Sequence, residues 1–235
     1  MALHLTVGDG GTGWKPKAVL IDLDGTLLDT IDDLAAAANA VRTEFGLLPL
    51  AISRVRDFVG KGAEVLVQRT LTDSMDAPLD PARLAEALAS YRNHYALLNG
   101  VHARCYPGVR EGLQGMRQRG LKLACVTNKP IGFTVPLLER TGLFAEFDVV
   151  VGGDSLPVKK PHPAPLLHAC EGLQVSPFEA LMIGDSGNDA LAARAAGMPV
   201  FIVPYGYNEG HPVESLEADA VVDSLEHALA LIPAQ

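Results

Sequence analysis

The chain has 235 residues, of which 48% are hydrophobic and 20% charged, and its formal net charge is −9. That length suffices for one large domain or for a core with an insertion, and the composition is that of a globular protein, not a disordered one. The acidic balance argues against a nucleic-acid or membrane surface but leaves open an anionic substrate, which senses the local field and any bound metal.

Residues 1–16 carry Gly8, Gly10, Gly11 and Gly13 and read as a flexible lead-in. The Gly8–Gly13 stretch lacks both the Gly-Lys-Ser/Thr ending and the preceding strand of a phosphate loop. Ala18-Val-Leu-Ile21 is a short apolar run, the pattern of a buried strand in a parallel sheet. Asp22-Leu-Asp24-Gly25 follows at once, and Gly25 permits a sharp turn. Thr30 is placed to cap a helix with Asp32 and Asp33 in its first turn, and Gly46 to end it.

From Thr30 to about Arg104 the periodicity is helical, without a good strand. Ala63, Leu66, Val67 and Leu71 recur at helical spacing, and Pro81 opens a longer helix with Leu84, Leu88, Tyr91, Tyr95 and Leu98 on one face. This segment reads as a helical insertion. From Tyr106 onward helix and strand alternate, the signature of a parallel sheet with crossover helices. Helices are expected from Pro107-Gly108 to Gly120, from Pro130 to near Gly142, from Pro163 to Gly172, and from Ala190 to Ala196. Strands are expected at Leu121–Val126, Phe147–Val151, Ala180–Ile183, Val200–Val203 and Ala220–Val222, with a closing helix after Ser224.

Each informative strand hands over to polar residues. The first gives Asp22 and Asp24, the next Thr127-Asn128-Lys129, and another Gly184-Asp185-Ser-Gly-Asn-Asp189; Lys159-Lys160-Pro161 follows the strand ending at Val151. Ligands of open α/β sheets sit beyond the carboxyl ends of the strands. Residues i and i+2 of a strand share a face, so Asp22 and Asp24 can approach one centre, where they need a cation or a shared proton. Taken singly, each segment is also an ordinary acidic turn, a helix cap or a solvated lysine. Together, Asp22, Asp24 and Asp185 offer the hard oxygens that Mg²⁺ prefers, while Thr127, Asn128 and a lysine suit phosphoryl oxygens.

In order and spacing, Asp22-Leu-Asp24-Gly25-Thr26-Leu27, Thr127-Asn128-Lys129, Lys160-Pro161 and Gly184-Asp185-Ser-Gly-Asn-Asp189 resemble the four motifs of the haloacid dehalogenase superfamily. The resemblance implies an α/β fold with a Rossmann-like parallel-sheet core at 17–29 and 105–235, and a small α-helical cap at 30–104 inserted after the first motif. Asp24 points to the phosphatase and mutase branch, since the dehalogenases lack an acid there. By the same resemblance Asp22 is the nucleophile that forms an aspartyl-phosphate, and Asp24 is the general acid and then base. Nearby carboxylates are expected to favour a proton on Asp24. Mg²⁺ would be held by Asp22, the backbone carbonyl of Asp24, and Asp185. Thr127, Asn128 and Lys160 would bind the phosphoryl oxygens, and Asp189 would orient the metal ligands from behind. Thr30 and Cys105 lie near the expected hinges of the cap.

Val59-Gly-Lys61-Gly62-Ala63, Tyr91–Tyr95 with Asn99-Gly100, Tyr106-Pro-Gly-Val109 and Val203–Gly210 resemble the bacterial phosphoglycolate phosphatases along almost the whole chain. That likeness implies 2-phosphoglycolate as substrate, with Lys61 and Gly62 in a cap loop facing it. Lys61 stands where such enzymes often carry Asn; a substrate carboxylate or solvent are both open as its partner. The alternatives are a phosphatase or mutase acting on another small phosphorylated metabolite, and a non-catalytic binder on the same fold. Cys105, Cys125 and Cys170 fit no CxxC spacing, so neither a disulfide framework nor a zinc site is expected. No apolar run approaches a bilayer span and the N-terminus lacks signal-peptide order, so the expectation is a cytoplasmic protein without membrane or nucleic-acid partners, as a monomer or homodimer.

Overall fold

The structure, a computed structural model, describes residues 14–233. The lead-in expected over 1–16 lies mostly outside the described residues; within them, Trp14 packs against the core and its indole N–H donates to the Phe178 carbonyl at 2.9 Å.

The central strand is β1 (Ala18–Ile21), whose four apolar residues are fully buried. It pairs in parallel with β4 (Lys122–Val126) on one side and β6 (Ala180–Gly184) on the other. Beyond these lie β5 (Val149–Val151), β7 (Val200–Ile202) and β8 (Ala220–Val221), completing a sheet of order β5-β4-β1-β6-β7-β8. The chain winds away from β1 in both directions, so β1 sits at the switch point where such sheets open a crevice at their carboxyl ends. Alternation along β1 sends Val19 and Ile21 into one apolar layer and Ala18 and Leu20 into the other. Helices cover these layers: α5 (Val109–Gln118) and the C-terminal α9 (Leu225–Leu231) bury side chains in the first, α7 (Ala164–Leu173) and α8 (Gly187–Ala195) in the second. The α6 helix (Ile131–Arg140) follows β4 and contributes Leu137 and Leu138 to the first layer.

Helices α1 (Ile31–Glu44), α2 (Ile52–Phe58), α3 (Ala63–Thr72) and α4 (Pro81–Leu98) surround a third apolar cluster of their own, which includes Leu34, Val55, Phe58, Leu66, Tyr91 and Tyr95. Full burial of side chains of this size contributes about 1.5–3 kcal/mol each. Asp80 caps α4, accepting from the backbone N–H groups of Ala82 and Arg83, and Pro81 occupies its first turn. The helical unit joins the core through a two-stranded ribbon, β2 (Leu28–Asp29) antiparallel to β3 (Arg104–Cys105). The fully buried Asp33 carboxylate accepts from the backbone N–H groups of Gly100, His102 and Ala103, tying the start of α1 to the returning chain.

Two-residue strands bracket the segment of helical periodicity. Two local expectations are corrected. The α7 helix runs through Gly172 and ends with Gln174 in the left-handed region at φ 55°. Thr30 stands at the N-cap of α1 without a side-chain capping bond, because its hydroxyl is committed to Asp24.

Candidate active site

The carboxyl ends of β1, β4 and β6 converge on one cavity beneath the helical unit, and Asp22, Asp24, Thr127, Asn128 and Asp185 all line it. The Asp22 backbone N–H donates to the Ile183 carbonyl at 3.0 Å, which extends the β1–β6 ladder beyond the end of β1. Asp22 Oδ1 accepts from the Leu23 N–H at 2.7 Å and lies 3.0 Å from the Lys160 ammonium.

Lys160 is 2% exposed and follows no strand directly, yet its side chain crosses beneath the site. It donates to the Val126 carbonyl at 2.6 Å and to Asp189 Oδ1 at 2.7 Å, in addition to Asp22. An ammonium has three protons, so these partners occupy all of them. Lys160 therefore holds the Asp22 side of the cavity, where the sequence reading had placed it on phosphoryl oxygens. Burial works against its charge, but Asp189 and Asp22 more than offset it and raise its pKa above the usual lysine value.

Asp189 is sealed from solvent, and its second oxygen accepts from the Asp185 N–H at 3.2 Å, the Ser186 N–H at 3.1 Å and the Ser186 hydroxyl at 2.8 Å. Its oxygens are spent on Lys160 and on the turn that presents Asp185. Asp185 accepts from the Thr26 hydroxyl at 2.8 Å and from the Tyr207 N–H at 2.5 Å. Two glycines make room for it: a Cβ on Gly25 would lie 2.3 Å from Asp185 Oδ2, and one on Gly206 would lie 2.3 Å from its Cβ. Gly25 also sits at φ 87°, a conformation that side chains disfavour.

Asp24 faces different company. Both of its oxygens accept from the Lys129 ammonium, at 2.9 and 2.8 Å, and Oδ1 also accepts from the Thr30 hydroxyl at 2.7 Å. The expected crowd of carboxylates around Asp24 is corrected by this geometry, since an ammonium and a hydroxyl occupy the space. The crowding falls on the other pair instead. Burial raises Asp22 to about 7 against the pull of Lys160, and burial followed by Asp189 and Asp22 raises Asp185 well above the carboxylate range.

The Thr127 hydroxyl accepts from the Lys129 N–H at 3.2 Å and keeps its own proton to donate. Asn128 is turned elsewhere: its amide donates to the Gly60 carbonyl at 2.9 Å and to the Lys160 carbonyl at 2.8 Å. It fastens the loop before α3 to the core, in place of the phosphoryl contact expected from its position. In that loop Gly62 lines the cavity at φ 88°, with Asn128 and Lys159 packed against it. Lys61 points outward to Glu209 at 3.2 Å, and Glu209 also pairs with the buried Arg69 at 2.6 Å.

Asp22, Asp185 and Asp189 present carboxylate oxygens within 4.8 Å of one another. A buried all-oxygen set of this kind fits a hard divalent cation such as Mg²⁺. Because Asp189 is committed to hydrogen bonds, Asp22 and Asp185 are the carboxylates with capacity to ligate.

Sequence reasoning missed Tyr207 as a site residue. Its hydroxyl donates to Asp29 at 2.5 Å and accepts from the N–H groups of Thr30 and Ile31, so one side chain braces the ribbon, the start of α1 and, through its N–H, Asp185. The two tyrosines within the Val203–Gly210 stretch, Tyr205 and Tyr207, were the available signal. Lys129 was visible only as the third residue of its segment, and nothing local marks it as the partner of a residue 105 positions earlier.

A family model described as haloacid dehalogenase-like hydrolase matches residues 16–197. A phosphoglycolate phosphatase of Thiobacillus denitrificans is 53% identical over 216 residues, covering 92% of this chain and 95% of that protein. One of Nitrosospira multiformis is 54% identical over 216 residues, with coverage of 92% and 95%. The crystal structure of a predicted phosphoglycolate phosphatase from Haemophilus somnus superimposes with a TM-score of 0.87 at 32% identity, covering 95% of this chain and 100% of that one.

Proposed function

The chain belongs to the haloacid dehalogenase-like hydrolase family, and from that premise we propose that it is a phosphatase hydrolysing 2-phosphoglycolate to glycolate and inorganic phosphate. The observation that carries this reading is the convergence of Asp22, Asp24 and Asp185 on one cavity, with Lys160 braced against Asp22 and the helical unit closing over them.

Asp22 attacks phosphorus through a carboxylate oxygen as the bond to the glycolate oxygen breaks, giving an aspartyl-phosphate. Lys160 and the Leu23 N–H fix the carboxylate in place, so its orientation does not have to be found at the moment of attack. Asp24 delivers a proton to the departing oxygen and then takes one from the water that attacks phosphorus in the second step. Thr30 and Lys129 hold the Asp24 carboxyl at the mouth of the helical unit, where the leaving group sits. The Thr127 hydroxyl donates to a phosphoryl oxygen.

Phosphatases of this family generally use Mg²⁺; here Asp22, the Asp24 backbone carbonyl and Asp185 would hold it. When bound, it masks the negative charge that otherwise repels attack on a phosphate. Residues 30–104 form a cap on the core, and the β2–β3 ribbon with Tyr207 is its hinge. Closure excludes water and bulky phosphates, which suits a small substrate. No helix among the described residues is long and apolar enough to cross a membrane.

Phosphate release from 2-phosphoglycolate, small sugar phosphates and nucleotides, with Mg²⁺ or EDTA, tests the assignment. Preference for 2-phosphoglycolate that vanishes with EDTA and in Asp22→Asn is expected. A higher kcat/KM on another phosphate overturns the substrate, and retained turnover in Asp22→Asn overturns the nucleophile.

A further inference from the structure

We propose that Lys129 is the residue that recognises the carboxylate of the substrate, and so sets the preference for a phosphate ester bearing a second negative charge. The proposal rests on 2-phosphoglycolate being the substrate. Its starting point is the charge inventory of the cavity. Three carboxylates line it, Asp22, Asp24 and Asp185, and Lys129 is the one cationic side chain among the described residues lining it.

The other nearby cations lie outside the cavity lining, Lys159 against Gly62 and Arg56 over the Tyr207 ring among them. Lys160 has its three protons on Val126, Asp22 and Asp189. Lys61 and Arg69 are both drawn to Glu209, outside the cavity lining. The part of the wall contributed by Leu34, Leu66, Tyr91 and Phe133 is apolar or aromatic and offers an anion no counter-charge. A carboxylate entering this space without a cation would be desolvated and unpaired, which is costly.

Lys129 is built to hold a charge at that place. Its side chain is 3% exposed, its ammonium grips both Asp24 oxygens, and the Tyr95 ring lies beneath the nitrogen at 4.9 Å. Position follows from chemistry. Asp24 must reach the oxygen that leaves phosphorus, and in phosphoglycolate the carboxylate carbon is two bonds beyond that oxygen. The cation seated on Asp24 is therefore adjacent to where the carboxylate comes to rest. An ammonium is a compact charge with three protons that can turn between two anions, which suits one shared by Asp24 and the substrate.

The test compares 2-phosphoglycolate with isobutyl phosphate, which has the same outline but no carboxylate, in the Mg²⁺-loaded wild type, Lys129→Met, Lys129→Gln and Lys129→Arg. The ratio of the two kcat/KM values is read within each protein, so a reduced active fraction cancels. It is expected to fall about 10²-fold in Lys129→Met and Lys129→Gln, as for loss of one partner from a buried charge pair, and to be largely kept in Lys129→Arg. Where turnover is too low to read, the same ratio is taken from calorimetric Kd values on Asp22→Asn with and without Lys129→Met. Equal losses for both substrates, leaving the ratio as in the wild type, overturn the proposal and leave Lys129 as a positioning residue for Asp24. A wild type without preference for 2-phosphoglycolate overturns the substrate reading, and the proposal with it.

Discussion

Lys160 and Asp189 form an ion pair of 2.7 Å in which the side chains are 1% and 0% exposed. Removing one partner of such a pair strands the other as a buried charge, at about 3–5 kcal/mol. In Lys160→Met both Asp189 and Asp22 lose their counter-charge, so denaturant unfolding is expected to show a loss of that order. Turnover falls by about 10²-fold or more, as when a preorganised electrostatic group is removed. A stability change below about 1 kcal/mol would contradict the pairing, being the range of exposed ion pairs.

Asp22 is raised to about 7 and Asp185 is raised as well, both chiefly by burial. A carboxyl whose folded value exceeds its unfolded value contributes stability that is fully present below the unfolded value and is lost as pH rises through the folded one. In the metal-free protein the contribution of these two therefore declines from about pH 4 to beyond about pH 7. Mg²⁺ binds the ionised carboxylates and offsets that loss. The gap between Tm in Mg²⁺ and Tm in EDTA is expected to be wider at about pH 8 than at about pH 5; an equal gap at both would count against the metal residing at Asp22 and Asp185.

Gly206 packs so closely on Asp185 that a methyl group there must displace the carboxylate. Gly206→Ala is expected to cost about 1–3 kcal/mol, as overpacking does, and to raise the Mg²⁺ concentration needed for half-maximal activity. Unchanged metal dependence in a destabilised variant would separate the packing from the metal site.

Glu209 links the loop after β7 to the helical unit through Arg69, whose side chain is 4% exposed, and through Lys61. Despite partial burial, Arg69 and then Lys61 hold its carboxyl below the ordinary glutamate range. Glu209→Gln leaves Arg69 short of a counter-charge, at about 1–3 kcal/mol. With that link to the helical unit weakened, KM for 2-phosphoglycolate is expected to rise while kcat changes less. A fall in kcat alone would contradict this role for Glu209.

The parallel core was legible because buried strands of such sheets are short apolar runs, and β1, β4, β6 and β7 all are. Asp22, Asp24 and Asp185 stood out because they follow those runs immediately. The two strands of the ribbon, each two residues long, are too short to show any period, and the seven-residue α2 likewise gave no helical signal. Partners were the harder part. Lys129 with Asp24, Asn128 with Gly60, and Tyr207 with Asp29 join residues far apart in the chain, and only the packing of the helical unit on the sheet brings them together.

The most direct test of the account is reductive trapping of the intermediate. Turnover of 2-phosphoglycolate with Mg²⁺ is quenched in borohydride, which reduces an aspartyl-phosphate to homoserine, and the chain is mapped by mass spectrometry. The account predicts homoserine at position 22, absent without substrate and absent in Asp22→Asn. Homoserine at another aspartate, or none while phosphate is being released, would contradict it.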